Sequence, residues 1–167
     1  MLKTLQATPG FEKVKSLGIA TDADDDPKAR FASICSALEA VQISAPPFPG
    51  ALSSGSPATA AYIFPDNANA GCLETLCAQF LRAKPIWNCI QSLLECAEIP
   101  AIPTSRRDKS GVYAYIATLK KADWLIGQAA GAGIFDWNNP AFKTLQDFLR
   151  IVGGCVATET EQREIEK

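Results

Sequence analysis

A chain of 167 residues, 47% of them hydrophobic and with a formal net charge of −2, carries enough apolar material for one compact domain, and no low-complexity tract argues for disorder. The slight negative charge gives no global attraction to a phosphate backbone, so nucleic-acid binding would rest on a local basic patch or a bridging metal. The sequence has no histidine, which removes histidine triads, histidine zinc sites and histidine general bases together and leaves carboxylates, lysine, cysteine or a metal to carry any catalysis.

Met1 to Lys15 reads as a short amphipathic opening interrupted at Pro9-Gly10. No signal-like run follows, and no stretch approaches the roughly twenty apolar residues of a membrane span, which predicts a cytoplasmic chain without a membrane partner. Val14 to Thr21 rises into a first strand, where Gly18 permits close approach of neighbouring backbone. The strand runs into Asp22, Asp24, Asp25 and Asp26, and Pro27 to Val41 follows as a helix with Phe31, Ile34, Leu38 and Val41 on one face. Residues 45–58 hold Pro46, Pro47, Pro49, Gly50, Gly55 and Pro57, a composition that forbids helix and central strand and predicts a long loop.

Thr59 to Phe64 is the second predicted strand, and a polar loop from Pro65 to Gly71 leads into a helix from Cys72 to Leu81. A helix from Pro85 to Ala97 is expected to bury Trp87, Ile90, Leu94 and Ala97, with a proline-punctuated connection over 99–105. Arg106, Arg107 and Lys109 form the one concentrated basic patch, ahead of a helix over Ser110 to Lys121 with Val112, Ile116 and Leu119 inward. A further turn or two is expected over 123–132. Pro140 to Val152 closes the pattern with Phe142, Leu145, Phe148, Leu149 and Val152 in a stripe, so that 1–155 forms one domain and 156–167 a polar, frayed tail. Strands alternating with helices predict an α/β domain with a mainly parallel sheet, Leu17 to Thr21 central in it and helices on both faces. The six cysteines fit neither a zinc ribbon nor a disulfide framework and most of them read as reduced core residues, Cys89 and Cys96 sharing one helix face.

The acids after the first strand concentrate negative charge in one turn. Such a cluster raises its own pKa values unless a cation, a helix N-terminus or water compensates. One reading is a Mg²⁺ site at the carboxyl end of a parallel strand. The plainer one is an acidic turn with Asp26 as N-cap and Pro27 at the first helical position, which leaves Asp22 and Asp24 unexplained. An EF-hand is excluded, because Pro27 stands where that loop needs glycine and Ser33 where it needs glutamate. Glu74 reads as a first-turn acid favoured by the helix dipole or as a further metal ligand. Lys109, Arg106 and Arg107 form a solvated basic loop or face a phosphate. Asp66 and Asn67 suit an Asx turn.

The order Leu17-Gly18-Ile19-x-x-Asp22-Ala23-Asp24-Asp25-Asp26-Pro27, then Pro65-Asp66-Asn67-x-x-x-Gly71-x-Leu73-Glu74, Asp108-Lys109-x-x-x-x-Ala114-Tyr115 and Phe142-x-x-Leu145-x-x-Phe148-Leu149 resembles an uncharacterised Toprim-like family. That group is related to the Toprim domains of topoisomerases, primases and overcome-lysogenization-defect nucleases, and the likeness spans about Phe11 to Val152. The resemblance implies a Rossmann-like, mainly parallel sheet flanked by helices and a metal-dependent phosphoryl transfer on nucleic acid. It implies that Asp22 and Asp24 hold Mg²⁺ or Mn²⁺, that Glu74 supplies a further ligand, and that Lys109 is catalytic beside the scissile phosphate. One departure stands out: the opening Toprim strand and its glutamate are not visible, the sole acid before Asp22 being Glu12. Two other function classes follow: a catalytically silent binding or defence-associated module on the same fold, and a D-x-D enzyme acting on a small phosphorylated metabolite. A sheet lacking its first strand would also leave a bare edge, which predicts a homodimer.

Overall fold

The computed structural model describes residues 2–97 and 104–165, without the side chains of Thr104 and of residues 155–165. Most of the connection expected over 99–105 therefore lies outside the described residues, as do the last two positions of the expected tail. Strands β1 (Ser16–Asp22) and β2 (Ala58–Phe64) pair in parallel, in register from Ser16 opposite Ala58 to Asp22 opposite Phe64. Around them lie helices α1 (Leu2–Gln6), α2 (Pro27–Glu39), α3 (Leu73–Leu81), α4 (Ile86–Cys96), α5 (Thr104–Ala117), α6 (Ile126–Gly131) and α7 (Lys143–Ile165), with 3₁₀ turns at Phe11–Lys13 and Pro140–Phe142.

β2 is the buried strand. Its run Ala60-Ala61-Tyr62-Ile63 is inaccessible to solvent, which a parallel strand covered on both faces requires of its sequence. On one face Ala61 and Ile63 meet Ile34 and Leu38 of α2, with Ile19 and Phe31 packed at the margin. On the other, Ala60 and Tyr62 meet Phe148 of α7. The buried Tyr62 hydroxyl donates to Pro65 O at 2.6 Å and lies 3.0 Å from Thr144 Oγ1, so burying the ring leaves no orphaned polar group at the start of α7. Gly18 sets how closely α7 lies against β1: a Cβ there would stand 3.1 Å from Phe148 Cζ and 3.2 Å from Val152 Cγ2. The larger core sits beyond the sheet, where Leu76, Leu81, Trp87, Ile90, Val112, Ile116 and Phe142 join α3, α4 and α5 to the turn before α7.

Helices do cover both faces, but Leu17–Thr21 is not central. The sheet has two strands among the described residues, and β1 is an edge. The outer side of β2 is instead satisfied by the expected long loop, which runs beside it: Gly50 N–H donates to Ala61 O at 2.7 Å and Ser53 N–H to Thr59 O at 2.8 Å. Asn67 completes that side, accepting from Ile63 N–H at 2.8 Å and donating its own N–H to Ile63 O at 2.7 Å. α5 begins at Thr104 rather than Ser110, so Arg106, Arg107 and Lys109 ride on a helix and not on a loop. Among its buried residues, Asp108, Val112 and Ile116 recur every fourth position, and the charge on the first of them hid the true start of the stripe. Cys89 and Cys96 are exposed, because α4 turns Trp87, Ile90 and Leu94 inward and places both thiols away from that face. The polar tail continues α7 as helix to Ile165.

Two glycine-to-alanine exchanges should have opposite signs. At Gly111 of α5 a Cβ would meet Trp87 Cη2 at 2.7 Å, and overpacking of this kind costs about 1–3 kcal/mol. That exceeds the ~1 kcal/mol alanine gains over glycine in a helix interior, because the buried Trp87 ring has little room to yield. At Gly153 of α7 a Cβ meets nothing within 4 Å among the described residues. Gly111→Ala should therefore lower the urea midpoint and Gly153→Ala raise it.

Candidate functional site

The carboxyl ends of β1 and β2 carry most of the residues singled out in the sequence. Asp22 closes β1, and its Oδ1 accepts the Leu73 N–H at 2.9 Å, so a carboxylate from one strand end caps the helix that follows the other. The unpaired N–H groups and dipole of a helix N-terminus favour negative charge there. Beside it, Asp24 N–H donates to Gly71 O at 3.0 Å and Gly71 N–H to Asp24 O at 2.8 Å, which fastens the β1–α2 turn to the β2–α3 loop. Asp24 takes a left-handed φ of 52° in that clasp, a conformation that aspartate tolerates better than most residues.

Each acid of the turn has a separate fate. Asp26 Oδ1 accepts from Lys28 and Ala29 N–H at 2.9 and 3.0 Å as the N-cap of α2, with Pro27 in the first turn. The Asp24 carboxylate pairs with the Arg30 guanidinium, and Asp25 is exposed. Capping thus accounts for Asp26 and, across the sheet, for Asp22. Among the described residues no group of three or more metal-ligating side chains gathers at one point.

Glu74 lies in the first turn of α3 and is only 7% exposed. Lys109 reaches it from α5, its Nζ 3.5 Å from Oε1, and the Glu74 carboxylate holds the Lys109 ammonium above its ordinary pKa. Asp22, Glu74 and Lys109 therefore share one end of α3, while the Asp24 carboxylate turns to α2. Arg107 is drawn off to Glu95 at 3.4 Å, and Arg106 is exposed. Asp66 makes the expected Asx turn, accepting from Ala68 and Asn69 N–H at 3.1 and 2.8 Å.

Two cysteines line the same helix start. Burial pushes the Cys72 thiol up and takes Cys77 to about 12, with the Glu74 charge adding to both. Burial thus disfavours the thiolate form of both. Sequence reasoning missed Asp108, 5% exposed, whose Oδ1 lies 3.4 Å from Arg82 Nη2 and whose Oδ2 has no hydrogen-bond partner among the described residues. Its four-residue spacing from Val112 and Ile116 was the available signal. An open groove of about 570 Å³ lies elsewhere, between α1, α2 and β1, and its lining includes Ile19, Thr21 and Arg30 but neither Asp22 nor Glu74.

Fold and site together define a small α/β domain with an acidic sheet end, where carboxylates meet a helix N-terminus and one lysine. Residues 1–153 match a family described as protein of unknown function, DUF3226, and the chain belongs to that family. No curated protein and no solved structure gives a significant match.

Burial raises the Asp108 pKa, outweighing the opposing pull of Arg82. The folded state then binds this proton more tightly than the unfolded chain. Ionising the group costs stability as pH rises from the unfolded carboxyl value, about 3.9, through the raised folded value. Asp108→Asn should flatten that part of the stability–pH curve and unfold at a higher temperature than the parent at pH 7. A lower melting temperature at pH 7 would show the Arg82 pairing to dominate.

Proposed function

We propose that this chain is a Toprim-like domain that binds a hydrated Mg²⁺ or Mn²⁺ at Asp22 and Glu74 and transfers a phosphoryl group on a nucleic acid. One observation carries the reading: Asp22 caps α3 at Leu73, the residue before Glu74, and Lys109 closes on Glu74. The donors are hard oxygens, and Mg²⁺ commonly keeps several waters while taking one or two protein carboxylates. This pair fits such an ion and does not fit one caged by protein. The ion would neutralise phosphate charge and lower the pKa of an attacking water. Asp22 holds its place through the α3 backbone, Glu74 offers a carboxylate from a nearly dry position, and the Lys109 ammonium supplies fixed positive charge for a phosphate oxygen in the transition state. Asp24 belongs to the same set in the Toprim resemblance and would join it by releasing Arg30.

A second reading, a catalytically silent module on the same fold, is favoured by the pairing of Asp24 with Arg30. A third, action on a small phosphorylated metabolite, keeps the ion and changes the substrate.

Titration calorimetry with Mn²⁺ tests the metal site, and cleavage assays then separate the readings. The parent should bind one ion, Asp22→Asn and Glu74→Gln should each weaken it at least about tenfold, or 1.4 kcal/mol, and unchanged binding in both would end the metal reading. Lys109→Met should tighten Mn²⁺ binding, since it removes a competing cation from Glu74, while any cleavage of DNA or RNA falls. Metal binding without cleavage of any polynucleotide would favour the silent module, and turnover confined to small phosphate esters the third reading.

A further inference from the structure

We infer that the outer edge of β1 is an association surface for a second copy of this chain, which adds its own β1 antiparallel about a two-fold axis. The direction of the strand's hydrogen bonds is fixed at its ends. Ala58 N–H donates to Lys15 O at 2.9 Å and Ala23 N–H to Phe64 O at 3.1 Å. In a parallel ladder alternate residues face the same neighbour, so the odd-numbered residues of β1 bond β2. Ser16, Gly18, Ala20 and Asp22 turn their N–H and C=O groups away, and among the described residues no other strand pairs with them. Gly18 and Ala20 are exposed. The contrast with β2 is sharp, because Gly50, Ser53 and Asn67 satisfy that strand's outer side.

Edge strands are usually guarded against pairing by lysine, proline or a bulge. From Ser16 to Thr21 this one carries no charge and no proline, and the open groove flanking Ile19, Ala20 and Thr21 leaves space beside it. Charge selects the occupant. Lys13 and Lys15 precede the strand, and Asp22, Asp24 and Asp25 end it. A two-fold pairing centred on Ile19 sets Gly18 opposite Ala20 of the second copy and brings the end of the strand that follows the exposed Lys13 toward the end that precedes the exposed Asp25 of the other copy. A parallel arrangement would stack like charges instead. The interface is isologous, so each copy supplies both halves of that complementarity, and the sheet becomes four strands. The proposal is independent of the metal reading.

The test is sedimentation velocity on the full chain at about 50 µM, a concentration at which an association of micromolar strength is populated. The parent should sediment at twice the chain mass. Ala20→Pro removes an outward N–H that pairs with no other strand among the described residues and should sediment as a monomer with an unchanged circular dichroism spectrum. If that variant does not fold, Ala20→Lys, which puts charge on the edge, should give the monomer. Hydrogen exchange should protect Gly18 and Ala20 amides at 50 µM and release them on dilution into the monomer range, with Ile19 protected throughout. A monomeric parent, a folded variant that stays dimeric, or Gly18 and Ala20 protection unaffected by dilution would each overturn the proposal.

Discussion

The Asp22 carboxylate on the Leu73 amide joins two parts of the chain that are 51 residues apart, and the rest of the acidic end depends on it. It orients α3 relative to the sheet, and α3 in turn sets Glu74 near the sheet end and supplies Leu76, Leu81 and Phe80 to the main core. The backbone clasp of Asp24 with Gly71 acts beside it, so both loops at the carboxyl ends of the strands are held by hydrogen bonds rather than by packing alone. A charge-assisted bond of this kind is roughly twice as strong as a neutral one. The site is therefore positioned by the same bond that places one of its acids.

Electrostatic compensation at this end is distributed, four of the acids each having a separate partner group. Asp22 has a helix N-terminus, Asp24 a guanidinium, Asp26 two amides of α2, and Glu74 an ammonium. Asp108, the residue before Lys109 on α5, is compensated on one oxygen only, with Oδ1 near Arg82, Oδ2 unpartnered among the described residues and a raised pKa. A cation arriving at Asp22 and Glu74 would meet Lys109 already beside one of them, so metal and lysine compete for the same carboxylate unless a phosphate comes between them.

Much of the fold was legible because single residues carry strong local rules. Asp26-Pro27 marks the start of α2 by cap and first turn, and the unbroken apolar run of β2 announces a strand covered on both faces. Other features depend on partners distant in sequence. The prolines and glycines of 45–58 predict a loop, yet nothing in their spacing says that Gly50 and Ser53 would supply the missing ladder of β2. Asp22 and Asp24 stand two apart in the same turn and look equivalent, and only the arrival of α3 on one and Arg30 on the other distinguishes them. The start of α5 was hidden by a buried acid, since a hydrophobic pattern treats Asp108 as solvent-facing.

The divalent cation proposed for this domain would sit at the end of the sheet, at Asp22 and Glu74. Paramagnetic broadening of backbone amide signals by substoichiometric Mn²⁺ locates the ion directly in the folded chain. The claim predicts that the amides of Ala23, Leu73, Glu74 and Thr75 broaden first and that excess Mg²⁺ restores them. Broadening that begins instead around Asp25 and Lys28, or that is uniform over the surface acids, would contradict it.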